Sequence, residues 1–507
     1  MRIVVFFVAM LMIQGYRILA QEKTFVKEYT YKAGEMDSKI SCRAIATNQL
    51  RTELLNEIGV YVESEQLLKT VEVDGKFSQD FIENIATISA GITKLEVLEE
   101  RWNGEIFWMK AAITVDRKSL EESLKQLISD RQRIKEFEEL KQNLDKATEE
   151  LDRLKKEIAI KTKENNATAQ SLVTQKYNKE INTLIATDYV YKADQKTENK
   201  DYRGAIDDID EALKINPKHA IAYVNRGNSK AELQDHRGAI EDFDKALKIN
   251  PRYEVAYYNR GNSKAGMQDY RGAIEDFNRA IEISPKYARA YNNRGSAKNK
   301  LQDYYGAIED FNQAIMLIPK FAIYYYNRGV AKLNLQDYQR AIEDFNQAIE
   351  IDPNDLKTYY NRGISKRDLN DYYGAIADFT KAIDIDPNKL DAYDNRGVAK
   401  WLLKDYKGAV ADYTKAIDID PSNPTTATTY YNRGLAKAWL KDHYAAIQDF
   451  NRALEINPTN PMVAATYFNL GIAKFNLGQR DNACSDFNKS LDLGYKQAYE
   501  AIRDNCN

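Results

Sequence analysis

Apolar and small residues return in a fixed pattern through most of the chain. With Ala220 as position 1 of a 34-residue unit, Tyr223 stands at position 4, Gly227 at 8, Ala239 at 20 and Phe243 at 24. These positions lie at helical spacing on two successive segments, so the pattern predicts two amphipathic helices per unit. Such a period is typical of a solenoid, in which each unit buries its apolar face against its neighbours.

A polar triplet marks the same period. Asn-Arg-Gly stands at positions 6–8 of seven units, and Asn469-Leu470-Gly471 follows in the last. Gly at position 8 and Ala at position 20 are small where the paired helices are expected to cross, and Pro at position 32 ends the second helix. The triplets occupy 225–227, 259–261, 293–295, 327–329, 361–363, 395–397 and 432–434.

In length, register and placement of small residues, the units resemble the tetratricopeptide repeat (TPR). The resemblance covers about nine units over 186–494, of which the first is degenerate, with Lys192-Ala193 in place of Arg-Gly. It implies a mostly α fold: a right-handed α-solenoid in which the first helix of each unit lines a concave groove for a protein or peptide. A capping helix is expected at 495–507.

The N-terminus predicts an exported protein. Arg2 precedes an apolar run over 3–13, and the small residue Ala20 offers a cleavage site, as in a secretory signal peptide at 1–20. The run is too short to span a bilayer. We therefore expect a periplasmic or cell-envelope location without a membrane span after cleavage. An uncleaved N-terminal anchor is the alternative.

Residues 21–116 predict a small α+β domain. The alternating pattern indicates strands, Gly59 is expected to end the first helix, and Asn103-Gly104 suits a two-residue type I′ hairpin turn. Around 85–115 the patterning resembles small domains of bacterial envelope proteins, such as those of flagellar assembly proteins and small outer-membrane lipoproteins. The predicted elements are strands Thr24–Lys32, Thr93–Trp102 and Glu105–Val115, and helices Ser38–Ile58 and Ser78–Ser89.

Residues 117–170 predict a long polar helix with apolar residues at heptad spacing. Leu144, Leu151 and Ile158 follow one another by seven, with Leu154 between them. Two interpretations stand. In one, the segment 117–164 forms a parallel coiled coil and makes the protein a homodimer. In the other it is a single helix that acts as a spacer or folds back on its own chain. Residues 165–170 break the pattern as a hinge.

Two files of opposite charge accompany the repeats. Position 7 is Arg in seven units, where the family usually has Leu. Position 11 is Lys, and position 23 is Asp in all nine units. Because Arg and Lys at i and i+4 share a helix face, we expect them to pair with the Asp in a structural ladder. The alternative is that these charges face a ligand. The ladder includes Arg226, Arg260, Arg294, Arg328, Asp242, Asp276, Asp310 and Asp344.

The Asn at position 6 is the candidate for contact with a partner. Its amide can donate and accept hydrogen bonds to an extended peptide, although a contact with the neighbouring unit explains it equally. Aromatic residues at positions 5, 12 and 13 suit a hydrophobic anchor site, against ordinary interhelix packing. The candidates are Asn225, Asn259, Asn293, Asn327, Asn361, Asn395, Asn432, Asn469, Tyr258, Tyr326, Tyr360, Trp401, Trp439 and Phe475.

Composition narrows the function. A net charge of −3 and a pI near 6.0 argue against a nucleic-acid partner. No phosphate loop, nucleophile motif or metal-ligand spacing occurs among the 507 residues, so neither an enzyme nor a cofactor is expected. In an exported protein, two of the three cysteines are expected to pair. Cys484 and Cys506 form the natural disulfide, and three buried thiols are the alternative.

The sequence thus favours a scaffold that holds a protein or peptide partner in the cell envelope. The C-terminal pattern Ala483-Cys484, Leu493-Gly494 and Cys506 resembles the ends of exported repeat proteins of Bacteroidota-type bacteria. Two alternatives remain open. One is a structural oligomer assembled by the coiled coil, and the other is a glycan- or peptidoglycan-binding protein that uses the Tyr-rich groove.

Overall fold

A computed structural model describes residues 23–34, 37–64, 95–115, 146, 149–164 and 166–506. The predicted signal segment, the helix at 78–89 and most of the heptad region lie outside these residues. The chain divides into two compact parts, Met1–Tyr287 and Ala288–Asn507. Among the described residues, none of the helices is long and apolar enough to cross a membrane.

The N-terminal part begins with a three-stranded antiparallel sheet. Its strands are β1 (Lys23–Lys32), β2 (Leu95–Trp102) and β3 (Ile106–Val115), in the order β1-β3-β2. Because side chains alternate along a strand, one face of β3 buries Phe107, Met109 and Ile113. Helix α1 (Lys39–Ser64) covers that face with its own apolar side chains.

Two local predictions about this domain are wrong. Helix α1 continues through Gly59 to Ser64, because a glycine inside a helix costs only about 1 kcal/mol. The hairpin turn is a three-residue loop, in which φ is positive at Gly104 (99°) but not at Asn103. A type I′ turn needs both. Instead, Asn103 Oδ1 accepts hydrogen bonds from the backbone N–H of Glu105 and Ile106.

The described end of the heptad region folds back on its own chain. Helix α2 (residues 149–163) is followed by a turn and by α3 (Ala167–Glu198), whose N-terminus Asn166 caps. The heptad residues Leu151 and Leu154 are 2% and 1% exposed, packed against α3 and α1. At these two positions the chain itself therefore provides the covering surface that a second copy would provide in a coiled coil.

A buried carboxylate joins this helical hairpin to the sheet domain. The side chain of Asp37 is 1% exposed and accepts hydrogen bonds from Tyr31 Oη (2.9 Å), the Gly34 N–H (2.8 Å) and Tyr177 Oη. Lys155 Nζ lies 3.1 Å from the same carboxylate. A fully satisfied network of this kind fixes one relative placement of the packed elements.

Nine helix pairs follow, one for each predicted repeat. We number the repeats 1–9 from N- to C-terminus, and the C-terminal half of α3 is the first helix of repeat 1. The remaining helices are α4 (Tyr202–Ile215), α5 (Ala220–Glu232), α6 (His236–Ile249), α7 (Glu254–Gly266), α8 (Tyr270–Ile283), α9 (Ala288–Lys300), α10 (Tyr304–Leu317), α11 (Ala322–Asn334), α12 (Tyr338–Ile351), α13 (Leu356–Asp368), α14 (Tyr372–Ile385), α15 (Leu390–Leu402), α16 (Tyr406–Ile419), α17 (Thr426–Trp439), α18 (His443–Ile456), α19 (Val463–Asn476) and α20 (Arg480–Asp492).

The glycine at position 8 allows the two helices of a repeat to approach closely. A Cβ added at Gly295 would lie 2.9 Å from Phe311 Cε1 and 3.1 Å from the carbonyl oxygen of Ala307. Both distances are shorter than an ordinary van der Waals contact. The Phe at position 24 thus occupies the volume that a side chain at position 8 would need, which confirms the α-solenoid packing that the period predicts.

The turn inside each of repeats 1–8 contains a strained residue. Position 15 has positive φ and holds a residue other than glycine in repeats 1–8, for example Gln302 with φ 65°. The next residue, an Asp in these repeats, caps the second helix, as Asp303 does for the N–H of Gly306 at 3.0 Å. Gly478 takes position 15 in repeat 9.

The C-terminal helix α21 (Gln497–Asn505) packs on α20 and is fastened to it covalently. Cys484 and Cys506 form a disulfide across 22 residues, and Arg480 Nε donates to the carbonyl oxygen of Asn505 at 2.5 Å. The third cysteine, Cys42, is a buried free thiol, and burial raises its pKa to about 11.

We predict that Gly295→Ala destabilises the protein by about 1–3 kcal/mol, although alanine ordinarily favours a helix, because the added methyl group overpacks the crossing against Phe311. Urea unfolding measures the loss. In a Phe311→Leu background the same substitution should cost less. An equal cost in both backgrounds would contradict the contact proposed here.

We predict that Gln302→Gly stabilises the C-terminal part by about 1 kcal/mol, because glycine adopts positive φ without the penalty that a Cβ brings. Thermal unfolding compares it with Gln302→Ala, the matched control that keeps the Cβ. Equal melting temperatures for the two variants would show that backbone strain at this turn is negligible.

The thiols provide a third prediction. The folded, unreduced protein should resist iodoacetamide at pH 8, because Cys42 is buried with a raised pKa and the other two cysteines are bonded. Mass spectrometry should find one alkylated thiol after unfolding and three after unfolding with reductant. Three without reductant would contradict the disulfide.

Candidate partner-binding surface

The charged residues singled out in the sequence meet inside each repeat. In repeat 2, Arg226 Nε and Nη2 donate to the Asp242 carboxylate at 2.9 and 2.6 Å, and Lys230 Nζ lies 2.7 Å from it. The Asp242 side chain is 0% exposed. We call this set, from positions 7, 11 and 23, the repeat triad. The Arg–Asp pairs are Arg226–Asp242, Arg260–Asp276, Arg294–Asp310, Arg328–Asp344, Arg362–Asp378, Arg396–Asp412 and Arg433–Asp449.

The arginine of the triad also reaches the preceding repeat. Arg226 Nη1 donates to Asp210 Oδ1 at 2.5 Å, and Arg396 Nη1 donates to Thr380 Oγ1 at 3.0 Å. Both acceptors stand at position 25 of the repeat before. The same guanidinium of Arg226 lies 5.4 Å from the ring centroid of Tyr223. One side chain therefore links two helices of its own repeat and the second helix of its neighbour.

Repeat 9 shows what the arginine contributes. Leu470 replaces it there, so the buried Asp486 keeps Lys474 at 2.7 Å as its triad partner. Burial raises the pKa of Asp486, and the lysine does not compensate. For Asp242 burial acts in the same direction, but hydrogen bonds from Arg226 and Lys230 outweigh it and lower the pKa. The hydrogen bonds from Arg226 and Lys230 therefore favour the ionised form of Asp242.

The Asn at position 6 contacts the first helix of the preceding repeat, at position 5 in the C-terminal part. In the C-terminal part, Asn361 Nδ2 donates to Tyr326 Oη and Asn395 Nδ2 donates to Tyr360 Oη, both at 3.1 Å. Asn327 and Asn469 make corresponding contacts with Asn292 and Tyr431 at 2.8 and 3.2 Å. In the N-terminal part, Asn225 Nδ2 donates to Asp194, at position 9 of repeat 1, at 2.7 Å.

These Asn side chains remain partly exposed while they make the contacts. Positions 5, 6, 9, 12 and 13 fall at helical spacing on the first helix of each repeat. We call this surface the first-helix face. It becomes apolar in the C-terminal part, where position 9 of repeats 5–9 is aliphatic and never fully buried. Those residues are Val330, Ile364, Val398, Leu435 and Ile472.

An aromatic cluster lies at one end of this face in repeats 7 and 8. The rings of Tyr406 and Trp439 stack at 5.6 Å with an interplanar angle of 11°, and Trp401 meets Tyr406 edge-on at 6.4 Å. Trp439 is 62% exposed. Phe475, at the same edge of repeat 9, is 38% exposed. By contrast, the ring of Tyr360 packs on Phe379 inside its repeat.

Sequence reasoning missed three features that position-by-position comparison of the repeats could reveal. The first is the acceptor at position 25, to which Nη1 of the arginine donates in repeats 2, 3, 5, 6, 7 and 8. The second is the change of position 9 from polar to aliphatic along the chain. The third is Asp394, which stands at position 5 of repeat 7 where Tyr stands in repeats 3, 5, 6 and 8.

The histidine contact that the structure shows is structural, because His219 caps a helix. His219 Nδ1 accepts from the Ala222 N–H at 3.2 Å and caps α5, and burial lowers its pKa. Within the described ranges, no group of His, Cys, Asp or Glu side chains is arranged to hold a metal ion.

Models of the tetratricopeptide repeat match eight segments of the chain, which together cover just over half of it. The segments are 220–253, 255–287, 288–321, 322–355, 356–389, 390–423, 427–460 and 464–493. The chain belongs to the tetratricopeptide repeat family. Proteins of this TPR family are in general interaction scaffolds rather than enzymes. None of the curated proteins matches the chain.

Solved TPR structures match parts of this chain. YrrB, described as a TPR protein with an unusual peptide-binding site, is 24% identical over 36% of this chain and 95% of its own, with a TM-score of 0.32. MamA is 25% identical over 34% of this chain and 94% of its own, with a TM-score of 0.31. A TPR protein from Parabacteroides merdae is 20% identical over 50% and 98%, with a TM-score of 0.38.

The triad yields a prediction about stability and pH. Asp242→Asn should destabilise the N-terminal part by about 3–5 kcal/mol, because Arg226 and Lys230 lose their buried counter-ion. The lowered pKa means that the stabilisation is present above pH 4 and is lost as the pH falls through the folded-state pKa. The difference between variant and wild type should therefore shrink in acid.

Calorimetry and hydrogen exchange in α6 measure the effect, and Glu241→Gln, an exposed neighbour on the same helix, is the control. A variant as stable as the control would mean that the triad is dispensable.

Proposed function

We propose that this protein is an exported scaffold that binds a protein partner along the first-helix face of repeats 5–9. The observation that carries the proposal is that each repeat separates its charged residues from its exposed apolar ones. The charged side chains of the triad pair with one another between the helices, and the first-helix face keeps partly exposed aliphatic, aromatic and amide groups.

Two features support this surface over the rest of the array. Aliphatic side chains at position 9 recur from repeat to repeat, so an extended partner could use the same contact several times. The cluster of Trp401, Tyr406 and Trp439 adds aromatic area, which is typical of binding hot spots. The Asn–Tyr contacts hold the intervening polar groups in place before a partner arrives.

Export and a cell-envelope location belong to the same proposal. Its support is the apolar segment after Arg2 together with the disulfide Cys484–Cys506, because such bonds persist in oxidising compartments. A homodimer through 117–164 receives less support, since Leu151 and Leu154 are covered by the chain itself. Any dimer through this region would have to use other positions or separate α2 from α3.

Site-specific photo-crosslinking in the source cells tests the proposal. Benzoylphenylalanine at Ile472 or Phe475, which are 37% and 38% exposed on the first-helix face, should crosslink one defined protein. The matched control is Tyr373, which is 77% exposed on a second helix and should not crosslink it. Equal yields at all three positions, or a glycan as the crosslinked species, would overturn the proposal.

A further inference from the structure

Repeat 7 departs from its neighbours at position 5. In repeats 5, 6 and 8 this position is Tyr, whose ring packs on the Phe at position 24 and whose hydroxyl accepts from the next Asn. Repeat 7 has Asp394 there and Tyr413 at position 24. The carboxylate is smaller than a phenol ring and carries a charge, so this repeat presents a different surface.

The Asp394 carboxylate is incompletely satisfied. The hydroxyl of Thr429, on the first helix of repeat 8, donates to the carboxylate. The atom Oδ1 is buried and has no hydrogen-bond partner among the described residues. Burial raises the pKa of Asp394 and the nearby negative charge of Asp391 adds to the effect, whereas the hydrogen bond from Thr429 and the positive charge of Arg367 act against it without cancelling it. Among the described residues no Lys or Arg forms an ion pair with Asp394, and a buried carboxylate without such a pair costs free energy that a cation from a partner would recover.

The charged side chains near Asp394 pair with other groups, so the Asp394 carboxylate has no ion-pair partner among them. Arg367 Nε lies 2.8 Å from Asp368, and Arg367 Nη1 donates to Asn395 Oδ1 at 2.5 Å. Lys389 Nζ lies 2.7 Å from Asp391. Arg367 thus pairs with Asp368 and Lys389 pairs with Asp391, which leaves the negative charge of Asp394 unmatched in this group of five. The local field therefore favours one additional positive group.

The remainder of this face suits a long side chain. Val398 and Trp401 stand four and seven residues after Asp394, on the same side of α15. Trp401 Nε1 is likewise buried without a partner in the described part of the chain. Trp401 contacts Tyr406, which stacks on the exposed Trp439. An apolar wall beside a carboxylate matches a side chain with an aliphatic stem and a cationic head.

We propose that Asp394 binds a Lys or Arg side chain of the protein partner, whose stem lies along Val398 and Trp401. The inference rests on the proposed function and adds the chemistry of the partner at one repeat. It makes Asp394 a specificity-determining residue, because a site built around an unpaired carboxylate disfavours a neutral or acidic side chain at that point.

Peptide arrays probed with the full-length protein test the inference. The probes are twelve-residue leucine- and alanine-based peptides that differ in one central residue, which is Lys, Arg, Gln or Glu. Wild type should bind the Lys and Arg peptides at least about tenfold more tightly than the Gln peptide. Asp394→Asn should lose that preference. Asp384→Asn, which removes an exposed carboxylate from a second helix, should retain it.

A second variant, Asp394→Tyr, distinguishes a loss of binding preference from a loss of folding. Asp394→Tyr restores the residue of repeats 5, 6 and 8 and removes the buried charge, so its melting temperature should not fall. It should bind all four peptides with similar affinity. If wild type binds the peptides without a charge preference, or Asp394→Asn keeps the preference, the role of Asp394 is wrong while the first-helix face remains. If no peptide binds and Ile472 yields no crosslink, both proposals fail.

Discussion

The close crossing of two helices at position 8 is the constraint on which the repeat array depends. A Cβ at Gly227 or at its counterparts would collide with the aromatic ring at position 24. Because glycine leaves room for that ring, the two helices of a repeat lie at a fixed distance from each other. The other side chains of the repeat then contact the same neighbouring positions in every repeat. The array is regular because this one contact is repeated, not because any single repeat is strongly stable by itself.

Around this crossing, the chain uses ionic contacts where the family usually has apolar ones. Two cations converge on one buried carboxylate, a costly arrangement unless each donor is satisfied. Arg226 donates its remaining hydrogen bond to Asp210, which belongs to the preceding repeat. A triad is therefore fully hydrogen-bonded only when the preceding repeat is folded against it. In repeat 9 the arginine is missing, Asp486 keeps Lys474 as its triad partner, and burial raises the pKa of Asp486. Such a network couples neighbours more specifically than a leucine contact, which tolerates displacement.

The sequence predicts the parts of the fold that the period controls. Spacing alone places Gly295, Ala307 and Phe311 at one crossing, and charge alone brings Arg294 to Asp310. It fails where a choice depends on local competition. Gly59 stays helical because its propensity cost is small, and Asn103 caps a loop with its side chain instead of adopting positive φ. The Asn at position 6 could not be assigned from one repeat, because its hydrogen-bond acceptor belongs to the preceding repeat.

Regularity also makes departures informative. A position that differs in one repeat experiences the same backbone and nearly the same neighbours as its counterparts, so the chain supplies its own controls. Asp394 and Tyr413 differ together from the Tyr–Phe pairs of repeats 5, 6 and 8, and one carboxylate oxygen of Asp394 is buried without a hydrogen-bond partner among the described residues. A buried, incompletely hydrogen-bonded carboxylate within an otherwise uniform array is explained most directly by a contact that the isolated chain does not contain.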